Sequence, residues 1–155
     1  MSDFEIVRST TVAAEPGRVH ALVDDFHEWR AWSPWEGLDP DLRRTYSGPD
    51  SGVGAHYAWE GNRKAGAGSM EITGSTPGTI DIRLAFLKPF RNTNQVTFTL
   101  TPTQADGSPG TTVEWRMRGE RTGFWGVVGR LMPMDRLIGK DFEKGLAQLK
   151  ATAES

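Results

Sequence analysis

Few residues of this chain have the types and spacing that metal binding or nucleophilic catalysis requires. His27 and Glu28 begin like the His-Glu-x-x-His motif of zinc proteases, but Ala31 stands where the second histidine is needed. The other histidines, His20 and His56, have no ligand spacing either. The sequence has no cysteine, which excludes thiol catalysis, disulfides and Cys-bound zinc. We therefore expect no metal site and no cofactor.

A glycine-rich segment between positions 61 and 69 is the next candidate, because glycines beside basic residues can cradle phosphate. It lacks the Gly-Lys-Ser/Thr ending of a phosphate loop and lies between two alternating segments. We interpret it as a hairpin turn.

Tryptophan is the residue type with the clearest functional potential. The chain has six, and Trp29, Trp32 and Trp35 lie close together next to prolines and a glycine. They could fill the core below the short helices, or form a rigid aromatic wall at the mouth of a cavity for a flat or lipid-like ligand. Trp59 and Trp115 have the same two interpretations, since both fall on inward positions of predicted strands.

Alternation of apolar and polar residues predicts the elements that would position these side chains. It gives seven strands with short connections, typical of a meandering antiparallel sheet. Their approximate ranges are Glu5–Val12, Arg43–Ser47 (an edge strand), Gly54–Glu60, Ala67–Ser75, Thr79–Leu87, Thr93–Thr101 and Thr111–Arg118. A helix from Pro16 to about Asp24 and a short one over Phe26–Ala31 follow the first strand.

The last part of the chain has helical periodicity instead. One apolar stripe recurs every three or four residues among charged ones, formed by Leu137, Ile138, Phe142, Leu146 and Leu149. Only this helix has a stripe long enough to cover the apolar face of the sheet, so we predict an α+β fold with a space between the two.

Alternation also assigns the two faces of the sheet. Asp81, Arg83, Glu114, Arg116 and Arg118 fall on the outer face. The inward residues are Tyr57, Trp59, Met70, Ile72, Ile80, Ile82, Leu84, Phe86, Val96, Phe98, Leu100, Val113, Trp115 and Met117. Only Tyr57 among the ionisable strand residues is clearly inward, and no set of nucleophile, base and orienting group can be assembled.

Size and charge favour an ordinary globular protein. The 155 residues are enough for one domain, 1–155, with its own core. The 18 basic and 20 acidic residues create no field that would attract nucleic acid. No export signal is visible, and the longest apolar run, Gly123–Gly129, is far too short to cross a bilayer. We therefore expect a cytoplasmic protein with no integral membrane segment. Its oligomeric state is left open.

Several segments, taken in order, resemble the SRPBCC (START-like) superfamily, and within it the polyketide cyclase/dehydrase group. They begin at Asp25 (Asp-Phe-His-Glu-Trp-Arg-Ala-Trp), Gly52 (Gly-Val-Gly-Ala-His-Tyr-Ala-Trp), Gly110 (Gly-Thr-Thr-Val-Glu-Trp-Arg-Met) and Asp141 (Asp-Phe-Glu-Lys-Gly-Leu-Ala). The resemblance implies a helix-grip fold, with seven antiparallel strands curled around a long C-terminal helix, two short helices after the first strand, and a deep cavity.

From this we predict that the chain binds a small hydrophobic or aromatic molecule, lipid-like or polyketide-like, between the sheet and the C-terminal helix. One alternative is a polyketide cyclase, aromatase or dehydratase acting in that cavity, and another is a protein-interaction module with a filled cavity. The predicted cavity-lining residues are Trp32, Trp35, Tyr57, Trp59, Met70, Ile72, Leu84, Phe98, Trp115, Met117, Ile138 and Phe142.

Overall fold

The alternating segments form one seven-stranded antiparallel sheet in the computed structural model, which describes residues 3–36, 39–63, 65–88, 91–120 and 134–155, without the side chains of 3, 120 and 134–137. The strands are β1 (Asp3–Val12), β2 (Arg43–Ser47), β3 (His56–Glu60), β4 (Ala67–Thr76), β5 (Thr79–Lys88), β6 (Asn92–Ala105) and β7 (Ser108–Glu120). They are ordered β1-β7-β6-β5-β4-β3-β2, so β1 and β2 are the two edges and the sheet is not closed. The predicted helix-grip α+β fold is confirmed.

The last two strands extend beyond the predicted ranges. Asp106 and Gly107 both have positive φ, at 53° and 81°, and form a two-residue turn between Ala105 and Ser108. Positive φ at both central residues matches the twist of a hairpin, so pairing continues up to the turn. The predicted strands ended at Thr101 and resumed at Thr111, because the glycines and the proline of 106–110 are typical of a turn.

Two short helical segments follow β1. Helix α1 (Pro16–Val23) begins with proline, whose missing N–H is harmless in the first turn, and it buries Val19, Leu22 and Val23. The segment predicted as a second helix is a 3-10 helix, Glu28–Ala31, with Trp29 as its buried residue.

The long helix α2 (Met134–Glu154) lies on the concave face of the sheet. Phe142, Leu146 and Leu149 are almost fully buried, while Ile138 is half-buried. The side chain of Leu137, the other member of the predicted stripe, lies outside the described residues. Each buried side chain of this size stabilises the fold by roughly 1.5–3 kcal/mol, so the stripe holds α2 firmly on the sheet.

The two faces of the sheet are as predicted. Residues such as Ile72, Ile82 and Phe98 are buried below α2, whereas Arg83 and Arg118 are exposed on the outer face. Outer charges pair across strands, as with Arg116 and Glu5 at 2.9 Å.

None of the helices in the described part of the chain combines the length and the apolar character needed to span a bilayer.

Candidate ligand-binding site

A cavity of about 240 Å³ lies between the N-terminal part of α2 and the half of the sheet formed by β3, β4 and β5. Its lining is mostly apolar and aromatic, with a few polar groups. Among the described residues, the lining is formed by Ser33, Trp35, Glu36, Leu42, Tyr57, Trp59, Ala65, Gly66, Met70, Leu84, Phe86, Lys88, Met117, Ile138 and Asp141.

Strand register explains how the sheet builds this wall. Residues directly opposite one another in antiparallel strands share a face. Tyr46, Tyr57, Met70 and Leu84 form one inward row across β2 to β5.

The neighbouring row contains a glycine that makes space for a tryptophan. Trp59 is paired with Gly68, and a Cβ placed on Gly68 would lie 2.6 Å from the Trp59 ring. The indole of Trp59 therefore lies flat over the backbone of β4, where its Nε1 donates to the carbonyl of Ala65 at 2.9 Å. A substitution at Gly68 would clash with this ring and with the backbone oxygen of Ala85, which lies 2.5 Å from the same Cβ position.

The predicted lining residues fall into two groups in the structure. Seven of them line the cavity: Trp35, Tyr57, Trp59, Met70, Leu84, Met117 and Ile138. The other five, Trp32, Ile72, Phe98, Trp115 and Phe142, do not line it and are at most 1% exposed. That the first group binds a ligand stays a prediction.

Aromatic stacking explains why Trp115, Phe98 and Phe142 of the second group belong to the core. Trp115 lies against Phe142 with ring centroids 4.0 Å apart and against Phe98 at 4.9 Å, so both ring faces are covered. A void of only about 10 Å³ remains beside it. The indole of Trp32 donates to the carbonyl of Leu22 at 2.9 Å, at the C-terminal end of α1. Such a bond satisfies one of the free carbonyls of a helix end, a structural role.

A polar cluster that the sequence did not predict reaches the cavity through Glu36 and Tyr57, whereas its other members, Arg44 and Tyr46, are not among the described lining residues. Arg44 donates from Nη2 to Glu36 Oε2 at 2.5 Å, and the two side chains are 18% and 22% exposed. This hydrogen bond raises the pKa of Arg44. Burial, followed by the negative charge of Glu36, raises the pKa of Tyr57 to about 12, and burial also raises the pKa of Tyr46. Both phenols are therefore neutral hydrogen-bond donors at neutral pH.

Alternation along β2 could have revealed part of this cluster. Arg44 and Tyr46 are half-buried while Arg43, Thr45 and Ser47 are exposed. The sequence suggested that Tyr57 is the only clearly inward ionisable residue of the strands. The structure corrects this, because Arg44 and Tyr46 also lie on the inward side. A five-residue edge strand with two arginines gives no apolar pattern, so its inward face was not recognised. Glu36 lies in a loop, where periodicity assigns no direction.

Asp141 brings a second carboxylate to the cavity from α2. Its Oδ2 accepts a hydrogen bond from Trp35 Nε1 at 3.2 Å. Trp35 is held in turn by edge-to-face contacts with Trp115 and Phe142, at centroid distances of 5.8 and 6.4 Å. The aromatic core therefore fixes the position of this carboxylate.

The described residues include no group of three or more His, Asp or Glu side chains placed to bind a metal ion. What the cavity offers instead is apolar volume with the phenol of Tyr57 and the carboxylates of Glu36 and Asp141 at its wall, the first of these carboxylates being paired with Arg44. Such an arrangement can hold a ring system and hydrogen-bond to its oxygen or nitrogen substituents.

These features define a helix-grip protein with an internal cavity of ligand size. A family model described as polyketide cyclase / dehydrase and lipid transport matches residues 3–154, so the chain belongs to this family. The resemblance seen in the sequence is thereby confirmed. No match was found among curated proteins.

Solved structures with low sequence identity share the fold. A protein from Nitrosospira multiformis is 19% identical with a TM-score of 0.68, over 98% of this chain and 97% of its own. A protein from Chromobacterium violaceum is 14% identical with a TM-score of 0.63, over 97% of both chains. DynU16, from the dynemicin biosynthetic locus, is 16% identical with a TM-score of 0.64, over 97% of this chain and 47% of its own.

Proposed function

We propose that this protein binds a small hydrophobic or aromatic molecule in the cavity between its sheet and α2. The observation that supports this most is the cavity itself, about 240 Å³ lined largely by Trp35, Trp59, Met70, Leu84 and Phe86. Unfilled apolar volume costs stability, because the surrounding atoms lose their dispersion contacts. A ligand that restores those contacts would be bound and would stabilise the fold.

The volume indicates the size of the ligand. An apolar cavity of about 150 Å³ is known to hold benzene. The larger space here suits a molecule with one or two rings or a short acyl chain. Larger molecules would have to extend towards Lys88, the exposed lining residue at the end of β5.

Binding can be tested by filling the cavity. Ile138→Trp would place an indole in the space, since Ile138 lines it from α2. We expect isothermal titration with methylnaphthalene to show binding to the wild type and at least about tenfold weaker binding to Ile138→Trp. Lys144→Trp adds the same ring on the exposed side of α2 and should bind like the wild type. Absence of binding by the wild type across a broad set of apolar ligands would contradict the proposal.

An enzyme of polyketide cyclase or dehydratase type is the second candidate, favoured by the polar side chains of Tyr57 and Asp141 in the cavity lining. A neutral phenol such as that of Tyr57 can donate to a carbonyl oxygen on which negative charge develops. A carboxylate such as Asp141 can accept a proton from the carbon next to that carbonyl. The resulting enolate carbon can attack a second carbonyl of the same molecule, and this new carbon–carbon bond closes the ring and leaves an alkoxide. The alkoxide takes back the proton held by the carboxylate, and the resulting alcohol is then lost as water.

Mass spectrometry distinguishes the two candidates. A binding protein returns a short poly-β-ketone thioester unchanged, whereas a cyclase converts it faster than buffer to a product lighter by one water. If conversion occurs, Tyr57→Phe should slow it, because the phenol that donates to the carbonyl is lost while the ring remains. Conversion at the buffer rate would refute the enzyme reading.

The third interpretation of the sequence, a protein-interaction module with a filled cavity, has less support because the space is open.

We further propose that the chain is a single domain that acts in the cytoplasm. Its balanced charge gives no field to attract nucleic acid.

A further inference from the structure

Asp141 is a charged group inside the cavity whose charge is not neutralised by the described part of the chain. Its Oδ2 accepts from the neutral indole of Trp35 at 3.2 Å, and none of the described ion pairs includes it. A carboxylate can accept several hydrogen bonds. Asp141 therefore has accepting capacity left on the side that lines the cavity.

The other carboxylate of the lining differs in this respect. Glu36 is paired with Arg44, so their charges offset each other at the wall. Lys88, the lining lysine, is exposed at the end of β5, where water screens its charge. Among the described lining residues away from Lys88, the charge of Glu36 is offset by its partner Arg44, so Asp141 contributes the one negative charge that is not paired.

The aromatic residues around the cavity have the same preference. The rings of Trp35, Tyr57, Trp59 and Phe86 line it, and the face of an aromatic ring carries partial negative charge. A cation over such a face is attracted, and the attraction increases away from water. A carboxylate entering the cavity would meet repulsion from Asp141 and would lose its hydration.

We propose that Asp141 is the ligand-recognition group of this cavity. It selects a ring-bodied ligand whose head donates hydrogen bonds, a protonated amine or a hydroxyl, against a ligand whose head is a carboxylate. The inference rests on the proposed binding function and names the ligand class for the same site. Trp35 acts as a positioning residue, because its indole holds the carboxylate in place.

The test uses four probes that share one ring body: naphthylmethylamine, naphthylmethanol, naphthoate and methylnaphthalene. Titration calorimetry on the full chain at neutral pH measures the affinity of each. We expect the amine, the alcohol or both to bind more tightly than methylnaphthalene, and the better of the two to exceed naphthoate by at least about tenfold, the size of one charge-assisted hydrogen bond. An advantage of the amine alone identifies a cationic ligand, and an advantage of the alcohol alone identifies a hydroxyl ligand.

Asp141→Asn assigns the preference to one residue. The amide oxygen can still accept from Trp35, but the charge is gone, so the gap between the donor heads and naphthoate should narrow by at least about threefold, and the preference that remains comes from the aromatic rings. Methylnaphthalene affinity should not change. Asp106→Asn, in the exposed turn between β6 and β7, removes one charge far from the cavity and should keep the wild-type ranking.

Three results would overturn the inference. Naphthoate could bind as tightly as the donor probes, or the gap could be as wide in Asp141→Asn as in the wild type. Naphthoate could also bind best and lose its advantage in Lys88→Gln, which would make Lys88 the recognition group. In each case methylnaphthalene still binds and the proposed function stands. If none of the four probes binds, the proposed function itself fails.

Discussion

Replacing Trp115 by alanine tests the division between packed core and open cavity most directly. Trp115 is 1% exposed and lies between the rings of Phe142 and Phe98. A Cβ on Gly145 of α2 would lie only 2.9 Å from its ring, so the helix backbone also touches it. Removing a core tryptophan of this kind should lower the free energy of unfolding strongly. Removing a tryptophan that lines an open cavity should lower it much less.

The expected cost follows from its burial. Removing a tryptophan exposes or empties roughly 150–250 Å² of apolar contact, worth about 4–6 kcal/mol at 25 cal/mol per Å². Part of this loss of stability is offset, because the substitution also removes the buried Nε1–H of Trp115, which has no hydrogen-bond partner among the described residues. An unpaired buried donor costs roughly 1–3 kcal/mol. The difference is roughly 1–5 kcal/mol, and the unfilled cavity left by the ring adds to it. We therefore expect Trp115→Ala to lower the free energy of unfolding by about 3–5 kcal/mol, the usual cost of truncating a large aromatic core residue.

Urea unfolding followed by circular dichroism measures this change, and methylnaphthalene titration of the same variant measures binding. Trp115→Phe is the matched control, since it keeps a ring in the stack and deletes the unpaired N–H. It should cost less than about 1.5 kcal/mol and change ligand affinity less than about threefold. A loss below about 2 kcal/mol for Trp115→Ala, together with much weaker ligand binding, would show that Trp115 is a cavity wall.

Further changes test the helix and the polar cluster. Gly145→Ala should destabilise the fold by about 1–3 kcal/mol, although alanine is the better helix former. The reason is that the new Cβ would lie 2.8 Å from Pro34 Cδ and 2.9 Å from the Trp115 ring. A gain in melting temperature would contradict this contact. Phe142→Asp should abolish cooperative thermal unfolding, because it buries an unpaired charge. Lys144→Asp, on the exposed side of α2, should change the free energy of unfolding by less than about 1 kcal/mol. Equal effects of the two substitutions would refute the assigned faces of α2. The pKa of Tyr57 is raised from 10.0 to about 12, so the folded state keeps this proton where the unfolded state has lost it. The stability from Tyr57 is therefore complete below pH 10 and is lost as the pH rises towards 12, and the wild type should lose stability there faster than Tyr57→Phe; parallel pH curves would show that the phenol is not buried in this way.

The fold could be predicted because its signals are local and periodic. Ile80, Ile82 and Leu84 alternate along one strand, and Phe142, Leu146 and Leu149 recur at helical spacing. Each pattern assigns a direction to side chains before any contact is known. One sheet face and one helix stripe then leave a single arrangement in which both are covered. The resemblance to known sequences pointed to the same arrangement.

The site was predicted less well, because alternation assigns a face but not a neighbour. Trp59 and Trp115 are both inward, yet Trp59 lines the cavity and Trp115 does not. The difference depends on what lies opposite each ring in space. Trp115 meets Phe142 of α2, distant in sequence, whereas Trp59 lies over Gly68 and faces the open volume.

The polar groups were missed for a related reason. Glu36 has no periodic context, and Arg44 lies on a five-residue edge strand with no apolar residue except Tyr46. Their pairing at 2.5 Å joins a loop to a strand, so neither residue alone indicates it. Asp141 was placed among the charged residues of the last helix, where charge is typical of a solvated face.

The position of the cavity follows from how the aromatic residues are distributed along α2. The C-terminal part of this helix carries Phe142, Leu146 and Leu149, and the tryptophans of the chain's first third pack there with Trp115. One turn earlier, Ile138 and Asp141 face β3 to β5 with no ring of their own. A branched aliphatic and a short carboxylate cannot reach across the space that Phe142 fills further along. The same helix that completes the core therefore leaves space beside Ile138, and Asp141 is the charged side chain that its described part contributes to the cavity lining.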